Sequence, residues 1–192
     1  NTLVREAVLF LRETIDRRID LVLELAEGLP PVQADPTQLH QVLVNLVLNA
    51  RDAVLPILEQ SNPMKLADQP LVISVMTDFV HVERVPPHSL LNAGPGDYVR
   101  ITVHDTGIGL DKETMEHIFE PFFTTKGPGK GSGLGLAMVY GIIAQHRGWI
   151  NVYSEPGEGT AFRIYLPAMP AEPAAPTEGP CAPAVAEERP HG

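Results

Sequence analysis

Apolar residues recur at Leu3, Val4, Ala7, Val8, Leu11 and Ile15, the spacing of the buried stripe of an amphipathic helix. Residues 20–26, DLVLELA, alternate instead, as a strand does. Asp35-Pro36 joins an N-cap side chain to a residue favoured at the first helical position, and it predicts a helix to about Leu55. Pro56, Pro63 and Pro70 then bound a loop. Residues 71–82 and 97–105 read as strands joined by a Pro/Gly-rich loop, and a short helix starts after Asp111. Residues 119–132 are rich in Gly and Thr, 134–145 read as helix, and strands at 149–154 and 160–166 close the pattern. Strands adjacent in sequence imply hairpins. The order therefore predicts an α+β fold, a mixed sheet with helices layered on one face, rather than an all-parallel one.

From Pro167 the pattern stops. PAMPAEPAAPTEGPCAPAVAEERPHG holds almost no large apolar side chain and cannot bury enough surface to offset its ordering entropy. The expectation is a folded domain at 1–167 and a disordered tail or linker at 168–192, with no internal repeat. The formal net charge of -10 repels nucleic acid backbones and anionic membranes, so neither is expected as a partner. No uninterrupted apolar run reaches the ~18 residues of a membrane span, and NTLVREAVLF lacks the pattern of a signal peptide. Cys181 is the only cysteine, which excludes an internal disulfide and a cysteine-rich zinc site. A cytoplasmic domain is the expectation.

The helix from residue 36 is almost wholly apolar except for Gln41, Asn45, Asn49 and Asp52. At about 100° per residue these fall in a stripe roughly 80° wide. The plain reading is one solvated face. The sharper one is that Asn49 offers its oxygen to a metal ion or ligand, and oxygen donors suit Mg²⁺, which keeps waters and bridges to phosphates. In VRITVHD, alternation sets Val99, Ile101, Val103 and Asp105 on one face, so a carboxylate points to the apolar side and needs donors there. Thr106-Gly107-Ile108-Gly109 then turns the chain, and its glycines permit a close backbone approach to a ligand. By itself an Asp-Thr-Gly turn is common.

Gly127, Gly129, Gly131, Gly133 and Gly135 alternate around Lys126 and Lys130 and lead into a helix. Free N–H groups at a helix start attract phosphate, which outweighs the reading of this run as a plain surface loop. A Walker A loop would need Gly at 124 and Ser or Thr at 131, where the chain has Thr124 and Gly131. A Rossmann fingerprint should follow a core strand, and FEPFFTTK is not one.

Taken together, these segments resemble the ATP-binding catalytic domain of histidine protein kinases, within the GHKL ATPase superfamily. NLVLNARDAV (45–54) is similar to the N box, DTGIGL (105–110) to the G1 box and FEPFFTTK (119–126) to the F box. GKGSGLGLAMVYGII (129–143) is similar to the G2 box, and SEPGEGTAFRIYLP (154–167) to the closing hairpin. The resemblance covers essentially all of 1–167 and keeps the family's order. It implies a two-layer sandwich of a largely antiparallel mixed sheet against three helices, with ATP held beneath a mobile lid. It implies that Asn49 coordinates Mg²⁺, with Asn45 and Asp52 beside it, and that Asp105 accepts from the adenine amino group. Gly107 and Gly109 would shape the adenine pocket, and Thr160 would support it through a water or Asp105. Lys126, Lys130 and the backbone of Gly131, Ser132, Gly133, Leu134 and Gly135 would contact phosphates. Phe119, Phe122 and Phe123 would anchor the lid by packing.

Two departures stand out. Many such kinases carry a basic residue three positions after the N-box Asn, where this chain has Asp52 beside Arg51. Before the closing strands, where two glycines are usual, it reads Arg147-Gly148. The family phosphorylates a histidine on a separate helical dimerisation domain and passes the phosphate to a response-regulator receiver domain. Among the seven histidines only His104 precedes an acid, and it lies on a strand; His40 belongs to the N-box helix. The resemblance thus implies a catalytic segment whose acceptor lies elsewhere. The alternatives are a conformational ATPase of the same superfamily, or a nucleotide-dependent binding module without kinase activity. The clamp ATPases place a general-base Glu four residues before the metal-binding Asn, and here that position is Asn45, which cannot act as a base.

Overall fold

A computed structural model of the chain describes residues 1–60, 70–85, 93–127 and 131–169. In chain order its elements are α1 (Thr2–Arg12), β1 (Asp20–Leu25), α2 (Pro36–Gln60), β2 (Val72–Val82), β3 (Gly96–Asp105), α3 (Lys112–His117), α4 (Gly135–Gln145), β4 (Trp149–Glu155) and β5 (Gly159–Pro167). The five strands form one sheet ordered β1-β2-β3-β5-β4. β1 runs parallel to β2, and every other pair is antiparallel. The parallel pair is the one whose connection contains a helix, α2, because parallel neighbours need a long crossover. The mixed, largely antiparallel sheet with helices on one face is the architecture that the strand order predicts.

Period-two alternation sends Ile73, Val75, Ile101, Val103, Phe162, Ile164 and Ile150 into one core with α1, α2 and α4. Tyr98, Trp149 and Tyr165 form a separate aromatic cluster. Trp149 stacks on Tyr165 at 3.6 Å between ring centroids, with Tyr98 edge-on to both. Register explains the separation: Tyr98 and Tyr165 lie one residue out of phase with Val99 and Leu166 on the same strands.

α2 is the central helix. Asp35 caps it, its Oδ1 accepting from Thr37 N–H at 2.7 Å and Gln38 N–H at 3.1 Å, and Pro36 occupies the first turn, where a missing N–H costs nothing. His146, after α4, accepts from Asp35 N–H through Nε2 at 2.9 Å and donates from Nδ1 to Ile142 O at 2.7 Å. By length and composition α2 could cross a membrane. Here its apolar side chains, Leu39 to Leu58, are buried against α1, α4 and the sheet.

The helix does not stop at Leu55 as the prolines suggest; it continues through Pro56 to Gln60. An interior proline costs roughly 3 kcal/mol in an isolated helix. Val54 and Leu58, one turn apart and both buried, supply burial of comparable size. Most of the expected tail lies outside the described residues. Ala168 bridges Val32, and Met169 N–H donates to Pro31 O at 2.8 Å.

If Leu58 anchors the helix beyond Pro56, Leu58→Ala should lower unfolding stability by about 2–4 kcal/mol. Exposed Glu59→Ala should change it by less than about 0.5 kcal/mol. Urea titrations of the two variants, followed by circular dichroism, check this contrast.

Candidate functional site

The polar stripe of α2 does not face open solvent alone. Asn45 Nδ2 donates to Gly135 O at 3.4 Å, at the start of α4. Gln41 Nε2 lies 4.0 Å from Met138 Sδ, one turn further along α4. Asn49 and Asp52 turn to the loop that precedes α4. There Lys126 Nζ lies 2.5 Å from Asp52 Oδ2 and 3.5 Å from Asn49 Oδ1. Arg51 grips the other Asp52 oxygen through Nε and Nη2, at 2.9 and 2.7 Å. Burial works to raise the Asp52 pKa, but the hydrogen bonds from Lys126 and Arg51 outweigh it and hold the carboxyl below the usual range.

One residue further along α2, Ala53 meets the turn after β3. Ile108 N–H donates to Ala53 O at 3.0 Å. A Cβ on Gly107 would lie 2.7 Å from Ala53 and 2.6 Å from Asp105 Oδ1, so only glycine fits there. On its other side the same turn meets the β4–β5 hairpin. Gly109, at φ +68°, leaves no room for a Cβ against Glu155 O, and Gly157 N–H donates to Ile108 O at 2.8 Å. Leu110 N–H donates to Ser154 Oγ at 2.8 Å.

Asp105 ends β3 on the inner face of the sheet, 3% exposed. Its Oδ1 accepts from Gly107 N–H at 2.8 Å, and the backbone N–H of Thr160, its register partner on β5, also favours the charged carboxylate. Burial raises its pKa from 3.8 to about 6, although both N–H groups pull the other way. Thr160 is 4% exposed, and its Oγ1 lies 2.9 Å from Ser154 Oγ.

The structure therefore brings Asn45, Asn49, Asp52, Lys126 and Gly135 to one stretch of α2, and Asp105, Gly107, Gly109 and Thr160 to the adjacent turn. Gly131 packs near Lys126, where a Cβ would meet Thr124 Oγ1 at 3.1 Å and Lys126 Cδ at 3.2 Å. Gly133, at φ +66°, lies against the backbone of Phe122. Ser132 Oγ accepts from Leu134 N–H at 3.3 Å, and Leu134 caps α4. Lys130 lies outside the described residues. Of the three lid aromatics, Phe119 packs on Tyr140 and Phe123 on His117, with centroids 5.6 and 5.7 Å apart. Phe122 does not anchor the lid. It is 75% exposed at φ 69°, and its N–H is tied to Gly133 O at 2.9 Å, which turns the side chain outward. Ser154 escapes a reading of the sequence alone, because a serine on a short strand carries no signal until its neighbours are known.

A five-stranded mixed sheet with helices on one face, and the loop before α4 set against the central helix, is the arrangement of a GHKL-type ATPase domain. The pattern of the histidine kinase-, DNA gyrase B- and HSP90-like ATPases matches residues 34–170, and the chain belongs to that family. It is 40% identical over 161 residues to the sensor kinase CckA of Brucella abortus (strain 2308), covering 84% of this chain and 16% of the relative. It is 37% identical over 168 residues to the sensor histidine kinase ZraS of Escherichia coli (strain K12), covering 87% of this chain and 30% of the relative. The chain thus spans less than a third of these relatives. Among solved structures, the catalytic domain of histidine kinase ThkA is 30% identical with a TM-score of 0.62, over 88% of this chain and 95% of that one. Full-length ShkA in complex with AMPPNP has a TM-score of 0.63 at 24% identity, over 88% of this chain and 30% of that one, a likeness of fold.

A carboxyl raised by burial binds its proton more tightly folded than unfolded. Between about pH 4 and 6 the folded state holds the extra proton, so stability falls as pH rises through that window. The shift from 3.8 to about 6 corresponds to about 3 kcal/mol at neutral pH. Subtracting the urea stability of wild type from that of Asp105→Asn at each pH from 4 to 8 should give a difference that grows by up to that amount and levels off above about 7. A flat difference would mean that Asp105 ionises freely.

Proposed function

We propose that this domain binds Mg-ATP between α2, the 105–110 turn and the glycine-rich loop, and positions the γ-phosphate for transfer to a histidine on a separate dimerisation domain. The observation that carries the reading is a pair of opposite ends on neighbouring residues of α2. At Ala53 the helix abuts a buried, acceptor-only carboxylate. At Asp52 it holds a loop ammonium among oxygen atoms. Asp105 has lone pairs beyond those used by Gly107 and Thr160, and desolvation leaves them in want of a donor; the amino edge of adenine supplies one. The Lys126 ammonium between Asn49 and Asp52 marks a place where a cation is stabilised by oxygen, as Mg²⁺ requires.

On this reading Asn49 is the protein ligand of the metal, and Asn45 fixes the start of α4 through Gly135. Asp52 balances Lys126, and Lys126 with the backbone from Gly131 to Gly135 faces the phosphates. When bound, Mg-ATP supplies the phosphoryl group and neutralises its developing charge. The chain's own contribution is to hold the nucleotide and exclude water around it. Phosphoryl transfer depends mostly on positioning, and Asn45 stands where a hydrolytic clamp would place its base. The cytoplasmic setting, the acceptor histidine and a downstream receiver domain are part of the proposal, since the relatives are longer than this chain.

Calorimetric titration with ATP, with and without Mg²⁺, tests the site. Asn49→Ala should abolish the Mg²⁺-dependent part of the affinity, and an unchanged Mg²⁺ dependence would sink the metal assignment. With γ-labelled ATP the chain alone should take up no label and turn over slowly. Adding the matching dimerisation domain should yield acid-labile, alkali-stable phosphate on that partner. Fast turnover without a partner would favour the conformational ATPase.

A further inference from the structure

Ser154 on β4 faces Thr160 on β5, and Thr160 in turn faces Asp105 on β3. The single Ser154 hydroxyl has three neighbours. Leu110 N–H donates to it at 2.8 Å, Gly159 O lies at 2.9 Å and Thr160 Oγ1 at 2.9 Å. A carbonyl can only accept, so the Ser154 proton goes to Gly159. The Leu110 amide engages one lone pair, and the other faces Thr160, which must therefore donate. Were the Ser154 proton turned to Thr160 instead, two acceptor oxygens would face each other at the Gly159 contact, at the cost of a lost hydrogen bond.

The Thr160 proton is thus committed away from Asp105 and the 105–110 turn. Only lone pairs of the Thr160 oxygen remain for another partner. Asp105, beside it, already accepts from Gly107 N–H and, as a carboxylate, likewise offers only lone pairs. Two neighbouring groups, 3% and 4% exposed, are acceptors together. A buried acceptor facing another acceptor is penalised far more than a weakened hydrogen bond would be.

We propose that Ser154 is a positioning residue that fixes the Thr160 hydroxyl as an acceptor, so that Asp105 and Thr160 together select a 6-amino purine and reject a 6-oxo purine. The inference rests on the nucleotide reading above and adds a determinant of base choice. Loss of the Ser154 oxygen frees the Thr160 proton to turn and donate to a 6-oxo group.

The test compares ATP with inosine triphosphate, whose base carries an oxygen acceptor in place of the six-amino group and a hydrogen on N1, by Mg²⁺-containing calorimetry on the full chain at pH 8. In wild type ATP should bind more tightly. In Ser154→Ala the ratio of the two dissociation constants should narrow roughly five- to tenfold, and Ser154→Thr, which keeps the hydroxyl, should restore it. Equal weakening of both nucleotides in Ser154→Ala would overturn the proposal, since a serine that merely holds the turn affects both alike. Should Ser154→Ala not fold, Thr160→Val decides: ATP should weaken while inosine triphosphate holds or tightens, and a larger loss for the latter would mean that Thr160 donates. Wild type that binds both equally overturns the base-choice proposal alone. Wild type that binds neither overturns the nucleotide reading beneath it.

Discussion

The confinement of the 105–110 turn governs the rest of the site. It is wedged between α2 and the β4–β5 hairpin with no space for a side chain on either flank: Gly107 against Ala53, Gly109 against Glu155, and Gly159 against the carbonyl of Asp105. Its backbone is tied to both walls, by Ile108 N–H to Ala53 O and by Gly157 N–H to Ile108 O. Pro56 bears on this contact. It offers no N–H to the Asp52 carbonyl and crowds that turn of the helix, and the next carbonyl along is the one that Ile108 engages. The proline that looks like a helix terminator thus sits one turn beyond the residue that receives the loop.

Asp52 shows how a charge at an unusual place is accommodated. A carboxylate in the stripe would repel phosphates, but Lys126 and Arg51 flank it, so the local sum is positive. The Lys126 pair is about a third exposed on the lysine side, and such a pair contributes no more than about 1 kcal/mol. A ligand that favours another arrangement of the loop therefore has little to overcome.

Much of the fold is legible because burial follows simple periods. The alternation in VRITVHD placed Asp105 on the inner face, where it is, and Asp35-Pro36 marked the start of α2. The end of α2 is not legible, because the local rule about proline is outweighed by the burial of Val54 and Leu58, which no window around Pro56 reveals. The candidate side chains stand out as a stripe and a glycine run, since both are one-dimensional patterns. The placement of Phe122 does not, because its outward turn follows from a backbone contact with Gly133 across the loop. Ser154 does not, because its significance lies in three partners far apart in sequence.

The two ends of the site differ in what it costs to move them. At Asp105 the neighbours are backbone groups in close contact, buried hydrogen bonds and a sheet register shared by three strands. Disturbing any of them leaves an unsatisfied polar group, at about 1–3 kcal/mol each. At Lys126 the neighbour is a partly exposed ion pair, whose rearrangement costs no more than about 1 kcal/mol. A ligand that bridges both ends therefore meets a fixed half and an adaptable half. On the proposed reading the base is held by the fixed half, and the phosphates organise the adaptable one. On the same reading the contacts at Lys126 answer to the phosphates, while base choice is set by the backbone and side chains of the sheet.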